Sequence, residues 1–304
     1  MKKILITIVG PTAVGKTDLA INLAQNLNTE IVSADSRQFY RELNIGTAKP
    51  SEEELSKAKH HLINNKSINE KYNISQFQKD ADKIINEIFY KNDFAILVGG
   101  SGLYIDTILY GIDNIPYIDP SIREKLNREY NLNGLNNLLK QLSKIDPESI
   151  KTIDLKNHRR IIRALEVSIS TKKPYSSFLK SKNKKKSRYN ELIIGLNKDR
   201  IKLHHLIDIR VDKMIKNGLL DEVKSLIRLQ DLNTLNTIGY SEIFKYYKNE
   251  YTIEEAIEKI KINSRRYAKR QLTWFKSNKN IIWFKNEYKI KEVIKLIKSI
   301  QLSA

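Results

Sequence analysis

Ile4-Leu5-Ile6-Thr7-Ile8-Val9 runs straight into Gly10-Pro11-Thr12-Ala13-Val14-Gly15-Lys16-Thr17, and this stretch decides the fold. The first six residues read as a buried strand. The next eight fit G-x-x-x-x-G-K-[ST] at every fixed position, and positions 16–27 carry a helical period. Strand, glycine-rich loop and helix in that order make a P-loop. Its glycines let backbone N–H groups turn inward on a phosphate, Lys16 adds a point charge, and the Thr17 hydroxyl can hold Mg²⁺. Gly10, Pro11, Thr12, Ala13, Val14, Gly15, Lys16 and Thr17 are therefore the expected phosphate or diphosphate cradle, with Thr17 the expected metal ligand.

Working outward, apolar β-branched runs at 4–9, 30–33, 94–98, 191–196 and 281–284 read as buried strands separated by helical periods. This predicts an α/β fold, a P-loop NTPase-like parallel sheet flanked by helices. Ser75-x-x-Gln78 reads as a capping box for a helix to Tyr90, and Thr252-x-x-Glu255 as one for a long basic helix. After Gly111 the strand pattern stops, and Pro116, Pro120, Pro147 and Pro174 punctuate short helical segments. The expected organisation is a catalytic core over 1–112 and 189–304, interrupted by an all-helical insertion over 113–188. Positions 181–188, rich in Lys, Ser and Asn, read as a mobile loop.

The 304 residues suffice for about two domains by the soft prior of roughly 150 residues each. No apolar run approaches the about 18 residues a membrane span needs. Two lysines followed at once by the first strand read as mature sequence and not as a signal peptide. The absence of cysteine excludes disulfides, cysteine-ligated zinc and thiol catalysis, and a cytoplasmic location is the default expectation. Lys and Arg number 54 against 35 Asp and Glu, a net charge of +19. Positions 172–188 hold eight basic residues and no acid, and 261–279 hold seven, again with none. Lys261, Arg265 and Lys269 recur every four residues, and like charges at that spacing destabilise an isolated helix. A polyanion such as nucleic acid would offset that cost.

Hydrolases with a P-loop carry a second strand ending in Asp, which holds Mg²⁺ near the attacking water. The best candidate here, Phe94-Ala95-Ile96-Leu97-Val98, ends in Gly99-Gly100, which argues against an ATP-driven motor. The second strand ends in Val32-Ser33-Ala34-Asp35. Carboxyl ends of parallel strands face the ligand crevice, so Asp35 should face what the P-loop holds. A carboxylate there suits proton transfer or metal binding; it equally suits capping the next helix. Gly99-Gly100-Ser101-Gly102 sits at the same edge, either for substrate approach or as a plain turn. His60-His61 are adjacent, so on a helix their imidazoles diverge and a metal pair is not expected.

Several further segments carry a family resemblance. With the P-loop, these are Ser33-Ala34-Asp35-Ser36-Arg37-Gln38-Phe39-Tyr40, Ile45-Gly46-Thr47-Ala48-Lys49-Pro50, Gly99-Gly100-Ser101-Gly102-Leu103-Tyr104, Arg160-Ile161-Ile162-Arg163-Ala164-Leu165-Glu166-Val167 and Arg270-Gln271-Leu272-Thr273-Trp274-Phe275. Their order is similar to that of the bacterial tRNA dimethylallyltransferases over nearly the whole chain. The resemblance implies transfer of a dimethylallyl group from dimethylallyl diphosphate, with Mg²⁺, to the exocyclic amine of the adenosine just 3′ of the anticodon. The tRNAs implied are those reading codons that begin with U. It implies that the P-loop grips a leaving diphosphate, that Asp35 accepts the amine proton, and that Asp35, Ser36, Arg37 and Gln38 hold the flipped adenosine. Ser101 stands where the family commonly has Thr, with the same hydroxyl role. Arg123 matches an Arg touching tRNA near the reacting groups, Arg159, Arg160 and Arg163 match a tRNA-contacting helix start, and Arg210 resembles an Arg on the diphosphate. The basic row of Lys261, Arg265 and Lys269 is the further expected tRNA contact, and a monomer is expected. Two rival classes are a P-loop small-molecule kinase and an isopentenyltransferase of free adenine nucleotides.

Overall fold

The computed structural model describes residues 2–179, 186–285 and 289–303; of the segment read as a mobile loop, 181–185 lie outside the described residues. In chain order the elements are β1 (Ile4–Val9), α1 (Lys16–Leu27), β2 (Ile31–Ser33), α2 (Glu52–Lys57), β3 (His60–His61), α3 (Ile74–Lys91), β4 (Phe94–Gly99) and α4 (Gly102–Tyr110). Then come α5 (Pro120–Ile145), α6 (Pro147–Thr152), α7 (His158–Thr171) and β5 (Glu191–Asn197). The rest are α8 (Arg200–Lys216), α9 (Leu219–Ser225), α10 (Tyr240–Tyr247), α11 (Ile253–Lys276), β6 (Ile282–Lys285) and α12 (Ile290–Ser303). The chain divides into two compact units, 1–111 with 187–304, and 112–186.

In the first unit the six strands form one parallel sheet in the order β3-β2-β4-β1-β5-β6. Every residue of β1 is buried, as a parallel strand covered on both faces must be. Side chains of period two sort cleanly. Leu5, Val9, Ala95, Leu97 and Ile193 pack against α3 and α4 through Phe77, Ala81, Ile85 and Ile108. Ile4, Ile6, Ile8, Ile96, Leu192 and Ile194 pack against α1 and α12 through Leu19, Leu23, Val293 and Ile297. A third cluster joins Phe39, Tyr40 and Leu43 to α8–α11 through Val211, Leu219, Val223, Tyr240 and Ile260.

Two local expectations shift. The cap of α3 is Asn73, two residues before Ser75: its side chain accepts from the N–H groups of Ser75 and Gln76, and Gln76 reaches back to the Asn73 N–H. His60-His61 lie on a two-residue edge strand and not on a helix, so they diverge because strand side chains alternate. Thr252 and Glu255 do form a capping box, opening α11.

The second unit is helical. Leu126, Leu138 and Leu142 of α5 pack on Ile161, Ile162, Ala164 and Leu165 of α7, and α5 bends at Gly134 (φ 72°). Asp146, 1% exposed, accepts from the N–H and hydroxyl of both Ser149 and Ser176 at 2.5–3.1 Å. Burial alone would raise its pKa, yet those four donors outweigh burial and hold it below the usual carboxylate value. A depressed folded value stabilises above the unfolded pKa of about 3.9 and is lost as pH falls through the folded one. Asp146→Ala removes all four bonds to this charged acceptor, so it should cost this unit at least about 3 kcal/mol near neutral pH and flatten its stability loss below pH 4. Thermal unfolding at pH 7 and 3 checks both.

Candidate active site

The carboxyl edge of the sheet opens on a cavity of about 780 Å³. The P-loop forms one wall. Gly10 (φ 147°) lets the chain leave β1 beneath Leu196, whose carbonyl oxygen would lie 2.5 Å from any Cβ there. Ala13 and Gly15 take left-handed backbone angles (φ 64° and 96°), which turn the loop around the α1 N-terminus. Lys16 Nζ donates to the Pro11 carbonyl (2.7 Å). Burial, and then the neighbouring Arg210 guanidinium, lower the Lys16 ammonium to about 7, against the opposing pull of Asp35. Arg210 is likewise lowered by burial and supported by Asp35. Two cations facing one carboxylate leave the cavity short of negative charge, which an anion would supply. Thr17 lines the same wall.

Strand order explains how Asp35 meets the P-loop. β4 lies between β1 and β2, so the two strand ends are two strand spacings apart, about 10 Å. Gly99 and Gly100 end the strand between them and put no side chain in the gap. A Cβ on Gly99 would sit 2.3 Å from the Ala34 carbonyl oxygen, and one on Gly100 2.3 Å from Gln271 Nε2. The missing strand-end acid is thus a steric exclusion.

Asp35, Ser36, Arg37 and Gln38 form the opposite wall. Asp35 Oδ1 accepts from the Arg37 N–H (2.9 Å), and Ser101 Oγ accepts from the Ser36 N–H (3.2 Å). Arg37 Nε donates to Thr237 Oγ1 (2.6 Å), and Gln38 donates to the carbonyls of Thr47 and Ala48 (3.3 Å each). That loop is held from behind: the Glu222 carboxylate accepts from the N–H groups of Asn44, Ile45 and Gly46 at 2.8–3.1 Å and from the Tyr240 hydroxyl at 2.6 Å.

A family model described as IPP transferase matches residues 38–278. The chain belongs to the IPP transferase family. It is 50% identical, over 93% of each chain, to the tRNA dimethylallyltransferase of Flavobacterium johnsoniae. It is 44% identical to tRNA dimethylallyltransferase 1 of Bacteroides thetaiotaomicron, over 92% of this chain and 91% of the relative. The solved tRNA isopentenylpyrophosphate transferase of Bacillus halodurans superposes with a TM-score of 0.74 at 40% identity, over 98% of this chain and 97% of that one. A eukaryotic dimethylallyltransferase solved acting on tRNA superposes at 0.77 and 27% identity, over 93% and 74%.

Within this IPP transferase the cavity gathers the P-loop, Asp35 to Gln38 and Arg210 in the first unit. In the second unit Arg123 makes a two-pronged ion pair with the buried Glu166 (2.5 Å each), which Arg163 shares (2.5 Å), while Arg159 and Arg160 are exposed. On α11, Lys261 pairs with Asp212 (2.6 Å) and Arg265 with Asp208 (2.9 and 2.6 Å), so these two cations arrive with their counter-charges. Arg266, Lys269, Arg270, Lys276 and Lys279 are the exposed cations of 261–279. No group of three metal-ligating side chains occurs among the described residues, and no helix among them is long and apolar enough to cross a membrane.

Sequence reasoning missed an inner stripe of α11. Ile260, Ser264, Tyr267 and Gln271 line the cavity at helical spacing, a period that the alternating lysines and arginines mask. Gln271 donates to the Gly100 carbonyl and accepts from the Thr12 N–H, both at 2.9 Å, which braces the P-loop to the end of β4.

Proposed function

We propose that the enzyme transfers a dimethylallyl group from dimethylallyl diphosphate to N6 of the adenosine 3′-adjacent to the anticodon, in tRNAs reading codons that begin with U. The observation that carries this reading is a diphosphate cradle facing a carboxylate across a gap floored by glycines. A hydrolytic strand-end acid has no room there. The names of the relatives support the same reaction.

The amine nitrogen attacks C1 of the dimethylallyl group, the C1–O bond breaks, and diphosphate leaves with the electron pair. Asp35 takes the N6 proton. Such a base is worth about 10²–10⁴-fold. Lys16, Arg210 and the P-loop N–H groups offset the charge growing on the leaving group. Thr17 suits Mg²⁺, an ion that keeps several waters and substrate oxygens and needs few protein ligands; when bound it supplies further charge neutralisation. A stacked adenine cannot reach this edge, so the base flips out of the anticodon loop toward Asp35 and Arg37. Arg123 and Arg163, which share the buried Glu166 carboxylate, and the exposed Arg159 and Arg160 serve phosphate contacts.

The pairing on α11 divides the row. Lys269→Ala should reduce the log–log salt slope of tRNA affinity by about one unit, whereas Arg265→Ala should leave the slope nearly unchanged and cost stability instead, because Asp208 loses its partner. Filter binding against salt and thermal melting of both variants separate the effects. Acceptor choice tests the function itself. Prenyl transfer to unmodified tRNA, and none to AMP under the same conditions, is expected; efficient prenylation of AMP would favour a free-nucleotide enzyme.

A further inference from the structure

A single backbone oxygen joins the two halves of the cavity. The Thr47 carbonyl accepts from Gln38 Nε2 (3.3 Å), on the wall that carries Asp35, and from Nη2 of Arg210 (3.4 Å), the neighbour of Lys16. A shift of that carbonyl moves both side chains. The loop that carries it does not hold itself. Ala48 takes a left-handed backbone angle (φ 43°), which a residue with a Cβ adopts only where its surroundings impose it.

The restraint comes from behind the cavity. Asn44, Ile45 and Gly46 turn three successive N–H groups onto the Glu222 carboxylate of α9, the first two on Oε2 (3.1 and 2.8 Å) and the third on Oε1 (3.0 Å). Oε1 also accepts from the hydroxyl of Tyr240, the first residue of α10 (2.6 Å). Gly46 lies so close to the Tyr240 ring that a Cβ there would sit 2.5 Å from it. Every group facing this carboxylate is a donor. An amide in its place has one accepting oxygen instead of two, so at least one of the three backbone N–H groups would face an NH₂.

We infer that Glu222 is a positioning residue for the transfer: from behind the 44–48 loop it sets the Thr47 carbonyl, and through it the Gln38 amide and the Arg210 guanidinium together. It touches no reacting atom. The roles of Gln38 toward adenosine and of Arg210 toward diphosphate rest on the proposed reaction; the restraint on the loop does not.

In Glu222→Gln the free enzyme should exchange the amides of 44–46 about tenfold faster, the worth of one hydrogen bond to a charged acceptor. Calorimetry with inorganic diphosphate and Mg²⁺ should show binding about 5- to 10-fold weaker, and Glu222→Gln should add nothing to the loss in an Arg210→Gln background. General loosening of the fold would instead cost the same factor in both backgrounds. Tyr240→Phe removes one donor and leaves all three backbone bonds, so it serves if Glu222→Gln does not fold; it should weaken diphosphate about two- to threefold, again only while Arg210 is present. With dimethylallyl diphosphate saturating, single-turnover transfer to tRNA should fall about fivefold in Glu222→Gln, and by nothing further in a Gln38→Ala background. Unchanged exchange at 44–46, or losses that multiply in the double variants, overturns the inference. A wild type that binds diphosphate but prenylates no tRNA, with the exchange and diphosphate results as expected, rejects the reaction and leaves the positioning of Arg210 standing.

Discussion

Asp35→Ala lowers the single-turnover rate of prenyl transfer by about 10²-fold or more while tRNA affinity stays within about threefold. The rate falls because an aromatic amine is a weak nucleophile and the attack leaves a proton that must go somewhere. Asp35 is the carboxylate that strand order sets across the glycine-ended β4 from the diphosphate cradle. Affinity barely changes because one carboxylate contributes little beside many phosphate contacts. Asp35→Asn separates charge from shape: it keeps the side-chain oxygen that accepts from Arg37 N–H but cannot take the proton, so it should be nearly as slow. Rapid-quench kinetics with saturating tRNA measure both, and a near-normal rate in either removes Asp35 from the base role.

Lys16→Ala weakens dimethylallyl diphosphate binding by about 10- to 100-fold, the worth of one charge-assisted contact. The pH dependence identifies the group. With the empty site holding Lys16 at about 7, a bound dianion restores the ammonium, so binding takes up a proton at higher pH. Affinity is therefore highest below pH 7 and falls by up to about tenfold per unit above it. Lys16→Ala and Lys16→Arg should both lose that slope, the first by removing the group and the second because guanidinium does not deprotonate in this range. Calorimetry with a non-reactive dimethylallyl diphosphate analogue from pH 6 to 9 reads it directly. The wild type should show no tRNA-stimulated ATP hydrolysis, since Ala34 and Gln271 occupy the space a strand-end acid would need.

The P-loop was legible because its chemistry is local: a strand, two glycines, a lysine and a hydroxyl within 14 residues of chain. The face that Asp35 presents followed from the general rule for carboxyl ends of parallel strands. Strand order was not legible, since nothing local reveals that β4 threads between β1 and β2, and with it went the reason for Gly99-Gly100. The partners of Lys261 and Arg265 sit 49 to 57 residues away on α8, so a row that reads as naked charge proves to be half an ion-pair ladder. Asn73 escaped notice because Ser75 and Gln78 offer an equally good capping pattern, and only the backbone decides which residue leaves the helix. Glu222 was hidden for a similar reason: it acts on a segment 176 to 178 residues distant, through bonds that no periodicity records.

The central claim is that the cavity releases a diphosphate only as a carbon–nitrogen bond forms. A single-turnover reaction with doubly labelled dimethylallyl diphosphate, Mg²⁺ and unmodified tRNA tests it most directly. The account predicts one diphosphate released per dimethylallyl group transferred, with the label on N6 of the adenosine next to the anticodon after nuclease digestion. Diphosphate release without prenylated adenosine, or transfer of label from the γ-phosphate of ATP to any acceptor, would contradict it.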